Sequence, residues 1–260
     1  MKKSKIIACV ALVCLVFSVF SAAAGAEAAS AMNWYVKKNG AKQPAIEEKQ
    51  RVILDHGGYY LDGKVSDESA DKVLYLTFDA GYENGNVAKI LDALKEENVP
   101  AAFFILDHMV LKNTDLVRRM SEEGHLVCNH SKNHKDMTTL TPEEMAKNLT
   151  ALETIYEQKT GKSLSKYFRF PEGRYSEQAL KTAEKLGYKS IFWSLAYADW
   201  DNERQPDPDA AIRKLLANTH NGAVILLHPT SATNAQILPA LIRAWKNEGY
   251  RFGTLDELTK

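Results

Sequence analysis

From Val73 onward, apolar runs of five to seven residues alternate with stretches whose apolar side chains recur every three or four positions. The runs read as strands: Val73–Phe78, Ala101–Leu106, His125–Asn129, Lys166–Phe170, Lys189–Leu195, Ala223–Leu227 and Tyr250–Thr254. Between them lie helix faces. Val87, Ile90, Leu91 and Leu94 make one, and Leu116, Val117 and Met120 make another that stops at Gly124. Thr141-Pro142-Glu143-Glu144 is a helix start: Thr141 caps, Pro142 fits the first turn, and Glu144 closes a capping box. That helix runs towards Gly161. Ser176 caps a helix ending at Gly187, and Asp207-Pro208 opens another. Ile237, Leu238, Leu241, Ile242 and Trp245 line the last long helix, which ends near Gly249.

Seven strands alternating with helices predict an α/β domain of parallel βα units. The pattern leaves open whether they close into an incomplete barrel or form a doubly wound sheet. In both cases a site lies beyond the C-terminal strand ends.

The first residues differ in kind. Lys2, Lys3 and Lys5 precede an apolar run from Ile6 to Phe20 and then the small-residue stretch SAAAGAEAAS, the pattern of a secretory signal peptide. The run is short for a bilayer span. We therefore assign residues 1–28 to a signal peptide, 29–71 to a polar lead-in packing on the domain, and 72–260 to a catalytic domain. The expected product is secreted, with no stable membrane span after cleavage. Cutting after Ala26 leaves 30 basic and 33 acidic residues, a net charge of −3. That surface gives no reason to expect nucleic acid as a partner. Cys9 and Cys14 leave with the signal, so Cys128 has no partner for an internal disulfide.

The unusual polar residues fall at strand ends. Asp79 ends the first strand, His130 and His134 follow the third, and Arg169 ends the fourth. Asp199 and Trp200 follow the fifth, and His228 ends the sixth. Each alone has an ordinary explanation: a helix cap, a core histidine, a surface cation, a packed indole. Their common position in five βα units is what points to an enzyme. Two imidazoles four residues apart suit Zn²⁺ or a similar divalent metal. A metal polarises a carbonyl, a carboxylate takes a proton from water, and a second acid protonates the leaving group. Asp79 and His228 fit the last two roles. No GxSxG, P-loop or GxGxxG is present, which argues against serine hydrolases, nucleotide phosphoryl transfer and dinucleotide oxidoreductases.

On these residues the chain resembles the polysaccharide deacetylases, carbohydrate esterase family 4. Five motifs stand in order from Val73 to Leu258: TFDAG at Thr77–Gly81, HSKNH at His130–His134, RFPEG at Arg169–Gly173, DW at Asp199–Trp200 and LLH at Leu226–His228. The resemblance implies a distorted (β/α)7 barrel. It implies Asp79 as general base, His130 and His134 as metal ligands, and Arg169 orienting Asp79. It makes His228 the general acid, held cationic by Asp199. Trp200 and Leu226 would enclose the acetyl methyl group, and the backbone N–H near Glu172 would help stabilise the oxyanion.

Two positions depart from the family pattern. The second Asp of the first motif, a metal ligand, is replaced by Ala80, and an Asp three positions before the DW aspartate is replaced by Ala196. Water, Glu83 or Asn84 are candidates to complete the metal shell. GYENG at Gly81–Gly85, with NWYVKKNGAKQP near the start of the lead-in, is similar to the sporulation-associated branch that de-N-acetylates muramic acid in peptidoglycan. That implies a monomer acting on glycan strands stripped of stem peptides by an amidase, with muramic δ-lactam of the spore cortex as the end product. Alternatives are an N-acetylglucosamine deacetylase acting on peptidoglycan or a chitin-like glycan, and a glycan-binding pseudoenzyme, which Ala80 motivates.

Overall fold

Strand parity organises the molecule, described here by a computed structural model over residues 30–260. The signal-peptide assignment lies outside the described residues. Eleven strands are present among them: β1 (Met32–Asn33), β2 (Gly58–Tyr59), β3 (Val73–Ala80), β4 (Ala102–Ile105), β5 (Leu126–Asn129), β6 (Ser165–Phe168), β7 (Arg174–Tyr175), β8 (Lys189–Ile191), β9 (Leu195–Ala196), β10 (Ala223–Leu227) and β11 (Arg251–Phe252). The main sheet is parallel, in the order β2-β8-β6-β5-β4-β3-β10-β9, with β11 on the start of β3.

The seven strands expected from the sequence are all there, but the fifth is broken. Lys189–Leu195 splits into β8, which pairs with β6, and β9, which pairs with β10 at the other end of the order. The three residues between them therefore carry the chain across the gap and curl the sheet into a distorted barrel. Phe192 N–H donates to the Tyr59 carbonyl and Ser194 N–H to that of Val224, so the crossing keeps its backbone bonds on both sides.

Alternation then sorts the side chains. Val73, Tyr75, Ala102, Phe104, Cys128, Tyr167 and Val224 fill the barrel interior. Their neighbours Leu74, Leu76, Phe78, Phe103, Ile105, Val127 and Ile225 face an outer layer of helices. Val87, Ile90, Leu91 and Leu94, the predicted stripe, are fully buried on the helix Val87–Glu96. Each contributes roughly 1.5–3 kcal/mol relative to an exposed position. The helix Pro142–Thr160 starts with the expected capping box and ends at Gly161 with φ 72°. The helix stopping before Gly124 covers Thr114–Glu122, and a separate helix, Asp107–Lys112, precedes it.

The lead-in contributes more than a wrap. β2 adds an edge strand beside β8, and β1 pairs antiparallel with β7. Asn221 pins the rest, accepting from Val73 N–H at 2.8 Å and donating to the carbonyls of Ser66 and Asp71 at 2.8 Å each.

Candidate active site

The inward parity of each strand runs to its C-terminal end and one residue beyond. Asp79 continues Val73, Tyr75 and Thr77; His130 continues Cys128; Arg169 continues Tyr167; Leu226 and His228 continue Val224. All but Arg169, which lies beneath the floor, line one cavity of about 850 Å3, together with His134, Glu172, Trp200 and Tyr82. That is large enough for a sugar-sized ligand.

Arg169 is fully buried and holds one wall in place. Its Nη1 donates to Asp79 Oδ1 at 2.9 Å, Nη2 to Thr77 Oγ1 at 2.8 Å, and Nε to the Ile191 carbonyl at 3.0 Å. The guanidinium lies 4.2 Å from the Phe104 ring centroid. Burial pushes the Asp79 carboxyl up, but its interactions with the neighbouring His130, Arg169 and His228 outweigh it, so the group sits below its usual range. Asp79 is thus an ionised carboxylate at neutral pH.

His130 is buried, and burial pushes it down to about 4 against the pull of Asp79, so the imidazole is neutral. Its Nδ1 lies 2.9 Å from the Arg169 carbonyl, which can only accept, so Nδ1 carries the proton. Nε2 is left bare, 3.5 Å from Asp79 Oδ2. Two lone-pair donors face each other with no hydrogen between them. A cation fits such an arrangement, and the His130 second nitrogen is fixed in the way metal-binding imidazoles commonly are. The His134 ring lies 5.0 Å from that of His130, centroid to centroid. Ser131 and His134 have φ of 77° and 56°, so the HSKNH segment is a strained loop rather than a helix turn. Glu172, on the opposite wall, has φ 57°; three of the four non-glycine left-handed residues described thus lie in the site loops.

Ala80 has the other parity. It is fully buried in the outer apolar layer, and the wall beside the histidines is finished by Gly81, Tyr82 and Leu106 instead. Glu83 and Asn84, candidates to complete a metal shell, do not line the cavity. Asn84 donates its amide to the Thr230 carbonyl at 2.8 Å, and Glu83 accepts from Gly85 N–H. Among the described residues, no three His, Cys, Asp or Glu side chains gather as a metal-holding group. The groups here that could hold a divalent cation are the His130 and His134 imidazoles, with Asp79 Oδ2 3.5 Å from His130 Nε2.

Asp199 is buried at 1% exposure and accepts from His228 Nδ1 at 2.7 Å, from His228 backbone N–H at 2.8 Å, and from Asn234 Nδ2 at 2.6 Å. Burial pushes the His228 imidazole down, but its bond to Asp199 and the charges of Asp199 and Asp79 prevail and hold it above its ordinary value. Leu226 is buried, whereas Trp200 is 61% exposed, at the cavity lip over His228.

Sequence reasoning missed Thr77, which ties Arg169 to the Ile225 carbonyl at 2.7 Å, and Asn234, which orients Asp199. Thr77 shares the parity of Asp79, a signal available in the sequence. Asn234 carries none, since only the tertiary fold brings the last helix to Asp199. His108 is exposed and outside the cavity.

The polysaccharide deacetylase family model matches residues 66–191. The chain is 38% identical over 229 residues to the peptidoglycan-N-acetylmuramic acid deacetylase PdaA of Bacillus subtilis, covering 87% of this chain and 85% of that one. The chain belongs to the polysaccharide deacetylase family. The solved structure of the B. subtilis protein, a family 4 carbohydrate esterase, superposes with a TM-score of 0.82 at 36% identity, covering 88% of this chain and 96% of the other. A family 4 carbohydrate esterase from Bacillus anthracis gives 0.72 at 36% identity with the same coverage. The peptidoglycan-N-acetylglucosamine deacetylase PgdA of Listeria monocytogenes is 33% identical over 199 residues, 75% of this chain and 40% of its own. The curled parallel sheet is thus the family's distorted (β/α)7 barrel, and the protein is a deacetylase of the carbohydrate esterase 4 type.

Proposed function

We propose that the protein hydrolyses the N-acetyl group of N-acetylmuramic acid in peptidoglycan strands already freed of stem peptides. The observation that carries this reading is that an ionised carboxylate, Asp79, and a proton-holding imidazole, His228, face the same cavity from different strands. The similarity to the B. subtilis peptidoglycan-N-acetylmuramic acid deacetylase supplies the sugar.

Asp79 takes a proton from water as the water oxygen bonds to the acetyl carbon. Arg169 keeps the carboxylate aimed and ionised. The Glu172 backbone N–H meets the oxyanion, and Trp200 and Leu226 hold the methyl group. His228, oriented through Nδ1 by Asp199, gives its Nε2 proton to the departing nitrogen as the C–N bond breaks. Acetate and a free amine result. A divalent cation, Zn²⁺ in this reading, would be held by His130 and His134 and when bound supplies a Lewis acid for the amide carbonyl. The freed amine then attacks the neighbouring lactyl carboxyl and loses water to close the δ-lactam. The setting in this reading is extracytoplasmic, at the cell wall or spore cortex, with the enzyme acting as a monomer.

The competing reading, N-acetylglucosamine as substrate, follows from the similarity to the Listeria peptidoglycan-N-acetylglucosamine deacetylase. Mass spectrometry of digested strands separates the two. The muramic reading predicts amines and lactams on muramic residues only; deacetylated glucosamine with intact muramic acid overturns it.

A further inference from the structure

Five large apolar side chains are exposed among the described residues, and only two of them, Tyr82 and Trp200, line the catalytic cavity. Trp200 has its place over His228, beside the acetyl group. Tyr82 has no role in the reaction described above. At 43% exposure it stands at the cavity mouth, three residues past Asp79 on the loop after β3. Its hydroxyl accepts from the side-chain amide of Asn202, on the turn after β9 and two residues past Trp200. That bond joins two loops whose strands flank β10 on either side.

Both loops are anchored. Asn84 and Asn86 tie the first to the Thr230 carbonyl, at 2.8 and 3.0 Å. A Cβ at Gly81 would lie 3.0 Å from Leu106 Cδ1, so glycine lets the chain turn closely against that wall just before Tyr82. Gln205 holds the second. Its Nε2 donates to the carbonyls of Asp199 and Asp201, at 3.2 and 2.8 Å. Its Oε1 accepts from Ser231 Oγ at 2.6 Å and from Thr233 N–H at 3.1 Å, at the start of the helix Ala232–Asn247. The Tyr82 ring is thus held from both sides while it stays open to solvent. A pyranose offers an apolar C–H face that stacks on such a ring while its hydroxyls stay in water. A platform fixed in advance also loses little freedom on binding.

The reacting amide lies between Asp79 and His228, and the nitrogen that His228 protonates carries the sugar ring. That ring therefore lies on the His228 side, where Trp200 and the Tyr82–Asn202 bond also stand. A cavity of about 850 Å3 is near the top of the range for drug-sized ligands, more than one acetamido sugar requires. We propose that Tyr82 is a specificity-determining residue. Its ring is the platform for the sugar adjacent to the one that loses its acetyl group, and Asn202 positions that ring. The site then reads a glycan chain rather than a lone N-acetylated sugar. This rests on the proposed reaction for the place of the acetamido group, but not for the platform itself.

The test compares wild type with Tyr82→Ala on denuded glycan strands. KM rises about three- to tenfold and kcat stays within about twofold, the scale of one lost aromatic contact made equally in ground and transition states. Tyr82→Trp retains the wild-type KM. Tyr82→Phe and Asn202→Ala keep the ring and lose its tether; each raises KM by a smaller factor, and the two together raise it no further than either alone. A single N-acetylated sugar, added as its methyl glycoside to compete with strands, inhibits wild type and Tyr82→Ala at the same concentration. An unchanged KM in Tyr82→Ala, or a fall in kcat at constant KM, overturns the platform. Additive losses in the tether variants remove Asn202 from its positioning role. Weaker inhibition of the variant by the single sugar places Tyr82 against the reacting sugar and overturns the assignment to its neighbour. Strand binding is measured in parallel by calorimetry in an Asp79→Asn background, with and without Tyr82→Ala. Tyr82-dependent binding without acetate release by the native enzyme supports the platform and defeats the proposed reaction. Acetate release with Tyr82-independent binding does the reverse.

Discussion

Asp199 grips His228 twice, through Nδ1 at 2.7 Å and through the backbone N–H at 2.8 Å, so one buried carboxylate sets both the ring's orientation and its proton affinity. In Asp199→Asn the charge that raises His228 is gone, and its pKa falls. The alkaline limb of kcat/KM against pH should move to lower pH, and an NMR titration of the His228 ring should move with it. A limb that stays in place removes His228 from the acid role.

His228 and Asp79 make stability depend on pH. His228 is held above its unfolded value, so its contribution is fully present below about pH 6.5 and is lost as pH rises through the folded pKa. Asp79 is held below its unfolded value, so its contribution is present above about pH 4 and is lost on acidification through the folded pKa. Thermal unfolding across pH should show both flanks. Asp199→Asn should lose the alkaline one, and Asp79→Asn the acidic one.

Arg169 is a fully buried cation whose ion-pair partner is Asp79. Arg169→Met leaves Asp79 uncompensated and Thr77 without its donor. A loss of about 3–5 kcal/mol in denaturant unfolding is expected, with activity lost as well. Unchanged stability would mean that the guanidinium is not the brace that holds the carboxylate.

His134 is exposed and its backbone N–H rests on Ser131 Oγ at 2.9 Å. His134→Ala should therefore change the unfolding midpoint little while weakening Zn²⁺ binding by at least tenfold in a calorimetric titration. Equal affinity in wild type and variant would place the cation elsewhere.

Trp200, at 61% exposure, contributes little to folding. Trp200→Ala should alter stability by no more than about 0.5 kcal/mol. It should still lower kcat/KM by tenfold or more, through loss of the lip that confines the acetyl group. A variant that unfolds early would make Trp200 part of the core instead.

Much of this arrangement is legible in the sequence because period-2 alternation and strand-end position are local properties. Asp79, His130, Arg169 and His228 follow from inward parity, and the Thr141–Glu144 cap from turn chemistry. The same parity, applied to Ala80, places its methyl group in the outer layer rather than beside the histidines. What escapes is non-local. The break in Lys189–Leu195 arises because its two ends pair with β6 and β10 on the two sides of the gap in the sheet, which no window of seven residues encodes. Asn234 reaches Asp199 across 35 positions of chain. Asn84 and Asn86, polar residues beside the first motif, spend their amides on the Thr230 carbonyl and fasten the loop after β3 to the loop after β10.

The most direct measurement is acetate release from denuded peptidoglycan strands by the mature protein, with Asp79→Asn and His228→Ala assayed beside it after folding is checked by circular dichroism. The account predicts acetate from the wild type, with divalent metal present, and a fall of at least about a hundredfold in each variant, the scale of a lost general base or acid. Wild-type rates in either folded variant, or no acetate from the native protein with any divalent metal, would contradict it.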